Sequence, residues 1–476
     1  LDSSVTEGAG LLSGKLSTWN IVFLVFATMT PLVALSSTTG LALGMGGGIG
    51  IVGLYVVVAA CMLLFQFGYS AMTAEITNAG AFYAYITKGF GPTPGLAAAL
   101  LSTLMYQMIS VVIAAFFAFY ARTTIEAQVG VTIDWRLLAV AAALGTFVLG
   151  RRNVDVSSKL LGIAVALETL LTALFVLAVI RQAGPGAFSW SVFRPSNIFN
   201  DHFGISAMMV IYVFGGIEVN AIYSEEARDP RRTARRAGLL TPLLLMVFYV
   251  VGAWALVTAL GTTDAQRIAQ ENLGTVFFLM NSRYVGAWST DLIQWLILFS
   301  LFAALLGTHN NASRYLFALG RDHILPQSLR KIDPVSNVPR NAGGAQIGCL
   351  LIMLGFFMVI GADPMVDIVT GFGGVIVLIN VVLWAWVSAA AYRYFRSRRD
   401  ITLWVGRIAP ALSTVVFSGF AASILFFYRQ IVDPRSIYIF MPAVIPLVVL
   451  SGVAYGAFLR RYEPDIFAGL GRSPGN

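Results

Sequence analysis

Two carboxylates and one imidazole stand in stretches otherwise apolar enough to cross a bilayer. Glu218 closely follows the glycine pair Gly215-Gly216, Glu168 interrupts Ala164-Val165-Ala166-Leu167-Glu168-Thr169-Leu170-Leu171, and His309 sits in the row Thr308-His309-Asn310-Asn311. An ionisable group at the bilayer centre costs roughly 2.5 to 3.5 kcal/mol even on lenient insertion scales, so it persists where it faces a bundle interior. The chemistry open to these groups is proton uptake and release, the holding of a cation, or hydrogen bonding between helices. Glu168 reads as a proton carrier, a cation ligand or a partner for His309. Glu218 reads as a proton-responsive group or as an acceptor tying a broken helix to its neighbours. His309 could titrate in the physiological range, or simply be a satisfied hydrogen-bonding group.

Such groups need an enclosure, and the bulk composition supplies one. With 476 residues, 58% of them hydrophobic, 11% charged and a mean hydropathy of +0.79, most of the chain must face lipid or a lipid-buried core. Apolar stretches recur near 19–43, 50–75, 95–121, 136–150, 157–180, 203–224, 238–260, 289–319, 341–361, 365–394, 404–428 and 436–459. These predict an all-α integral membrane protein of twelve transmembrane helices, spans 1 to 12, with both termini on one side. That side holds 23 of the 31 basic residues and the other holds 8, which orients the termini toward the cytoplasm of a cell membrane. The same asymmetry accounts for the formal charge of +8 without any nucleic acid. The run Arg231, Arg232, Arg235 and Arg236 fits orientation and lipid headgroups. Residues 1–15 lack the pattern of a cleaved signal peptide and read as a cytoplasmic tail, as do residues 461–476. Cys61 and Cys349 fall in apolar spans and read as small hydrophobes. With three histidines and no carboxylates at metal-ligand spacing, no metal or other cofactor is expected and nothing supports a membrane enzyme.

Two spans are built to break. In span 1, Thr28-Met29-Thr30-Pro31-Leu32-Val33 places a proline that offers no amide and clashes with the preceding turn, predicting a kink or unwinding at Pro31. In span 6, Tyr212-Val213-Phe214-Gly215-Gly216-Ile217-Glu218 loosens the helix at two glycines. Each interrupted span opens a set of five, as expected of inverted repeats at about 16–180 and 203–394 within a core of 16–400, leaving two peripheral helices, spans 11 and 12, in 401–460. Freed amides suit a carboxylate and freed carbonyls suit an ammonium, and an amino acid zwitterion carries both. Thr28, Thr30, Pro31, Val33, Gly215 and Gly216 are therefore candidate substrate contacts. In span 3, Tyr106, Gln107 and Ser110 offer a polar wall, although packing hydrogen bonds between helices account for them as well. Thr308 is the substrate-side candidate of span 8.

Three stretches carry a resemblance. After span 2 come Tyr69-Ser70-Ala71-Met72-Thr73-Ala74-Glu75, Asn78-Ala79-Gly80-Ala81-Phe82-Tyr83-Ala84-Tyr85 and Gly89-Phe90-Gly91-Pro92. Span 6 has Phe214-Gly215-Gly216-Ile217-Glu218 followed by Glu225-Glu226-Ala227-Arg228-Asp229-Pro230-Arg231-Arg232-Thr233. After span 8 comes Ser313-Arg314-Tyr315-Leu316-Phe317-Ala318-Leu319-Gly320-Arg321-Asp322-His323-Ile324-Leu325-Pro326. In order and spacing these resemble the amino acid-polyamine-organocation superfamily over about residues 16 to 400. The resemblance implies the LeuT-type 5+5 inverted repeat with discontinuous helices 1 and 6. It also implies that Tyr212 is an aromatic gate over substrate, with Phe214 beside it, and that Glu168 occupies a position where several members carry a lysine filling the space of a sodium ion. One departure stands out. Where the family usually has Gly-Ser-Gly-Ile, with bare amides that hold a substrate carboxylate, this chain has Pro31-Leu32-Val33-Ala34. A substrate without an α-carboxylate is then admissible.

The expectation is a permease that moves an amino acid or related amine by alternating access, coupled to protons or working by exchange, with spans 1, 2, 6 and 7 rocking against 3, 4, 8 and 9 by analogy with the fold. Proton coupling would run through Glu168, Glu218 or His309. A sodium-coupled symporter and a nutrient sensor that binds but does not transport are the other readings of the same scaffold.

Overall fold

Inside lipid every backbone polar group must be satisfied within the chain, so helices form along each apolar run, and glycine and proline decide where they are interrupted. The computed structural model describes residues 17–76, 81–151, 158–222, 227, 229–334, 338–431 and 437–471. The tail 1–15, Asn78-Ala79-Gly80 of the first motif, Glu225, Glu226 and Arg228 of the second, and the last five residues of the carboxyl-terminal tail lie outside the described residues. Among the described residues, nine helical stretches are long and apolar enough to cross a membrane.

The first of these, Thr18–Glu75, is 58 residues long. At 1.5 Å per residue it would reach roughly 90 Å, about three times the hydrocarbon thickness, so it cannot be one crossing. Its backbone divides it. One break falls at Thr30, in the left-handed region with φ 42°. The second is the glycine-rich turn where Gly46 (φ 113°) and Gly48 (φ 52°) take conformations that a side chain would oppose. That turn is pinned from across the molecule by Asn200, whose Nδ2 donates to the carbonyls of Gly46 at 3.1 Å and Gly47 at 3.5 Å. Span 2, Ile51–Glu75, then runs straight.

Span 4 is the 17-residue helix Trp135–Arg151. Span 6 is the 10-residue helix Phe203–Tyr212, a non-helical turn through 213 to 218, and the short helix Val219–Ile222. Span 2 packs along Pro230–Leu260, span 3 (Pro92–Val129) lies against Ala287–Arg321, and Gly373–Phe395 pairs with Ala409–Ile431. Burial grades from centre to edge. Buried residues make up 83% of the most apolar stretch of Pro364–Phe395 and 72% of that in Pro92–Val129, but only 33% in Trp404–Arg429 and 17% in Ile439–Tyr462. Spans 11 and 12 are therefore the periphery, and spans 3 and 10 are central.

Candidate functional site

The two interruptions face one another. Span 1 stops at Thr28 and resumes at Pro31, so the break precedes the proline instead of kinking at it. The reason is local: proline at the first position of a helix loses an amide that had no intrahelical partner anyway. Pro31 therefore founds the second half-helix, and Thr30 carries the strain. In span 6 the turn hinges on Gly216 at φ 107°. A Cβ there would come within 3.1 Å of Met29 Cε, which sits in the break of span 1.

Beside the two breaks lies a cavity of about 110 Å³. Thr28, Thr30 and Val33 line it from span 1, Tyr106 from span 3, Tyr212, Gly215, Gly216 and Glu218 from span 6, and Thr308 from span 8. Four of the lining residues carry a buried polar atom that makes no hydrogen bond within the protein: the Tyr106 hydroxyl, Glu218 Oε1, Asn311 Oδ1 and Asn380 Oδ1. Four unpaired polar atoms around one void would be costly if nothing polar ever entered it. Glu218 is the single ionisable carboxylate lining it among the described residues, and neither lysine nor arginine does so.

Glu218 is held from several sides. Its Oε2 accepts the Gly216 amide at 3.0 Å, its backbone carbonyl accepts the Tyr69 hydroxyl at 2.9 Å, and it is 1% exposed. The carboxylate thus braces the turn with one oxygen, while the other makes no hydrogen bond within the protein. The structural and the proton-responsive readings of this residue are compatible in that geometry.

The remaining candidates fall elsewhere. Pro31 is buried behind the cavity wall, and Phe214 turns away to pack edge-on against Tyr249 with ring centroids 5.7 Å apart. Gln107 does not line the cavity either. Ser110, taken with it as a polar wall, accepts from Gln346 Nε2 at 3.0 Å and donates to the Tyr106 carbonyl at 3.1 Å, so it serves packing between helices. Glu168 and His309 do not pair. The Glu168 carboxylate accepts the Ser300 hydroxyl and faces the Leu32 amide of the second half of span 1, whereas His309 Nδ1 bonds Gln346 Oε1 at 2.5 Å. Helical spacing explains the separation: Thr308 and Asn311, three residues apart, share the face toward the cavity, and His309 is rotated away from it.

Asn380, Asn311 and Thr38 are polar lining residues that were not among the sequence candidates. Asn380 carried the same signal as Glu168, a lone polar residue in the apolar run Val375-Ile376-Val377-Leu378-Ile379-Asn380-Val381-Val382. Asn311 stood in the row already singled out. Met29, Ala34, Ile109, Ile113, Phe116 and Ile376 complete much of the apolar lining, and nothing distinguishes them from packing residues before the helices are assembled.

Comparison with known proteins agrees with this architecture. The family model described as amino acid permease matches residues 16–451. An uncharacterised transporter of Bacillus subtilis is 29% identical over 140 residues, which is 29% of each chain. The arginine/ornithine antiporter of Pseudomonas aeruginosa is 28% identical over 159 residues, 33% of this chain and 31% of the relative. The low-affinity putrescine importer of Escherichia coli is 23% identical over 320 residues, 65% of this chain and 67% of the relative. The chain thus spans about a third of the length of the first two relatives and two thirds of the third.

Proposed function

Because the chain belongs to the amino acid permease family, we propose that it is a secondary active transporter that moves an amino acid or related amine by alternating access. The cavity between the broken spans 1 and 6 is the substrate chamber. The carrying observation is that both interruptions meet at one void whose buried polar atoms lack partners. In this reading the chain crosses the membrane twelve times with its termini in the cytoplasm. Thr18–Glu75 supplies two crossings, and the short span 4 and broken span 6 join the eight remaining long stretches. Spans 1 to 5 and 6 to 10 are inverted repeats, the arrangement in which such folds place a midplane site.

The lining favours a cationic group. Glu218 contributes the negative charge, and no basic side chain stands ready for a carboxylate among the described residues. The half-helix beginning at Pro31 would ordinarily offer three first-turn amides. Here proline removes one, the Leu32 amide faces Glu168, and the Val33 amide is left. Two of the relatives are named for arginine and ornithine and for putrescine, and the same class suits this chamber: a basic amino acid or a diamine held chiefly by its ammonium group. Coupling is to protons or by exchange, with Glu168 the foremost proton-binding candidate, ahead of Glu218 and His309.

The test is uptake of radiolabelled arginine, ornithine and putrescine into proteoliposomes, each with an imposed pH gradient, an imposed sodium gradient, or internal unlabelled substrate. Uptake driven by the pH gradient or by exchange is expected. Binding in detergent without uptake under any condition would leave a sensor, and accumulation driven by sodium alone would overturn the coupling.

A further inference from the structure

A second void lies away from the substrate chamber, where the ends of Trp135–Arg151 and Ala287–Arg321 meet the start of Arg340–Val359. It measures about 40 Å³, and Arg151, His309, Ser313 and Arg340 line it. That is room for a group of a few water molecules' bulk, the size of one tetrahedral oxyanion.

Its walls specify charge and protonation. Ser313 is 5% exposed and its Oγ has no hydrogen-bond partner. The 20-residue helix Arg340–Val359 starts here behind Pro339 with no side-chain cap, so its first amides point outward from a positive helix end. Arg151 and Arg340 are exposed at the rim; Arg314 also lines the void and is already engaged. No carboxylate lines it among the described residues.

His309 adds a requirement of the opposite sense. Gln346 donates from Nε2 to Ser110 and so presents Oε1 to the ring, which makes His309 Nδ1 the donor and leaves Nε2 with a lone pair. Nε2 reaches the void because its neighbours there are glycines: a Cβ at Gly150 would lie 2.7 Å from it and one at Gly343 3.5 Å away.

We propose that this is a binding site for a phosphate group that can still carry a proton, as in a phosphomonoester or hydrogen phosphate. The arginines, the helix amides and the Ser313 hydroxyl hold its anionic oxygens, and its P–OH donates to His309 Nε2. Sulfate, fully ionised at neutral pH, and the phosphodiester of an ordinary glycerophospholipid have no proton to give. The same chemistry can come from a lipid of the phosphatidic acid type, since basic pockets between membrane helices bind such headgroups, or from a small soluble phosphate.

The test uses the whole protein and its thermal unfolding, because a ligand that binds the native state raises the midpoint. In detergent, inorganic phosphate is compared with sulfate and chloride at matched ionic strength. In nanodiscs, phosphatidylcholine alone is compared with the same lipid doped with phosphatidic acid or phosphatidylglycerol. Expected is a rise with phosphate, with phosphatidic acid, or with both, and none with sulfate or phosphatidylglycerol; a rise with one source assigns the ligand to it. The rise disappears in the double variant Arg151→Gln/Arg340→Gln. Ser313→Ala weakens the response about tenfold while leaving the ligand-free midpoint unchanged, since that hydroxyl bonds nothing in the empty site. Equal responses to sulfate, a wild-type response in the double arginine variant, or no response to either phosphate source would each overturn the assignment.

Discussion

Glu168 joins two spans through one carboxylate: it belongs to span 5 and takes the hydroxyl of Ser300 in span 8, while its Oε2 makes no hydrogen bond and the Leu32 amide at the head of the second half of span 1 lies nearby. Replacing it with glutamine keeps the size but removes the exchangeable charge. Glu168→Gln is therefore expected to cut uptake driven by a pH gradient by more than tenfold while substrate binding survives; an unchanged pH dependence in proteoliposomes would remove this residue from coupling. Tyr212 is half-buried at the chamber wall, where an aromatic ring can attract a cation. Tyr212→Ala is expected to weaken substrate binding roughly tenfold, or about 1.4 kcal/mol, with the protein still folded. Wild-type affinity in a titration would refute the gate. At this scale much could be read in advance where a residue broke an apolar run, as Glu168 and Glu218 did. Asn380 broke one too and went unread, because an amide is less conspicuous than a charge. His309 is the hydrogen-bonding group that its lone position in an apolar span allowed, with Gln346 as the partner; its pairing with Glu168 was the alternative that did not form.

Among elements, the half-helix founded by Pro31 is the one that the proposed function makes responsible for what the chamber accepts. If its amides no longer cradle a carboxylate, decarboxylated analogues should compete with labelled substrate as well as their parent amino acids do. Competition by the parents alone, measured as inhibition of uptake, would restore a zwitterion site. The presence of a break in span 1 was legible from Pro31, yet its position was one residue out, because proline begins a helix more readily than it bends one. The widened π-helical turns at Ala34–Thr38, Pro364–Phe372 and Trp404–Ile408 were not legible at all. An extra residue in a turn leaves no mark in composition, and its placement answers to neighbours that only the assembled bundle supplies.

For the whole molecule, hydropathy located the apolar helices because lipid imposes one rule on every span. Tertiary closure was beyond it. Arg398 reaches from beyond span 10 to Glu75 at the end of span 2, where the Tyr394 hydroxyl also donates at 3.1 Å. Tyr83 donates to Asp322 at 2.9 Å while accepting the Gly471 amide at 2.6 Å, tying the carboxyl-terminal segment beneath the bundle. Burial pushes the Asp322 carboxyl above its usual range, against the pull of neighbouring Arg321. A reporter that is active only in the cytoplasm, fused after the carboxyl terminus, should therefore be active in cells; an inactive fusion paired with an active periplasmic reporter would reverse the orientation.

The grip of Asn200 on the Gly46 and Gly47 carbonyls has a mechanical meaning. Gly46 closes the distal half of span 1, and Asn200 stands just before the proximal half of span 6, so the pieces on one side of both interruptions are yoked at their far ends. In the proposed transport cycle a tilt of one would draw the other with it. Admission to the chamber from that side would then be a single stroke of a paired lever, and a crosslink that immobilises either arm is expected to silence both.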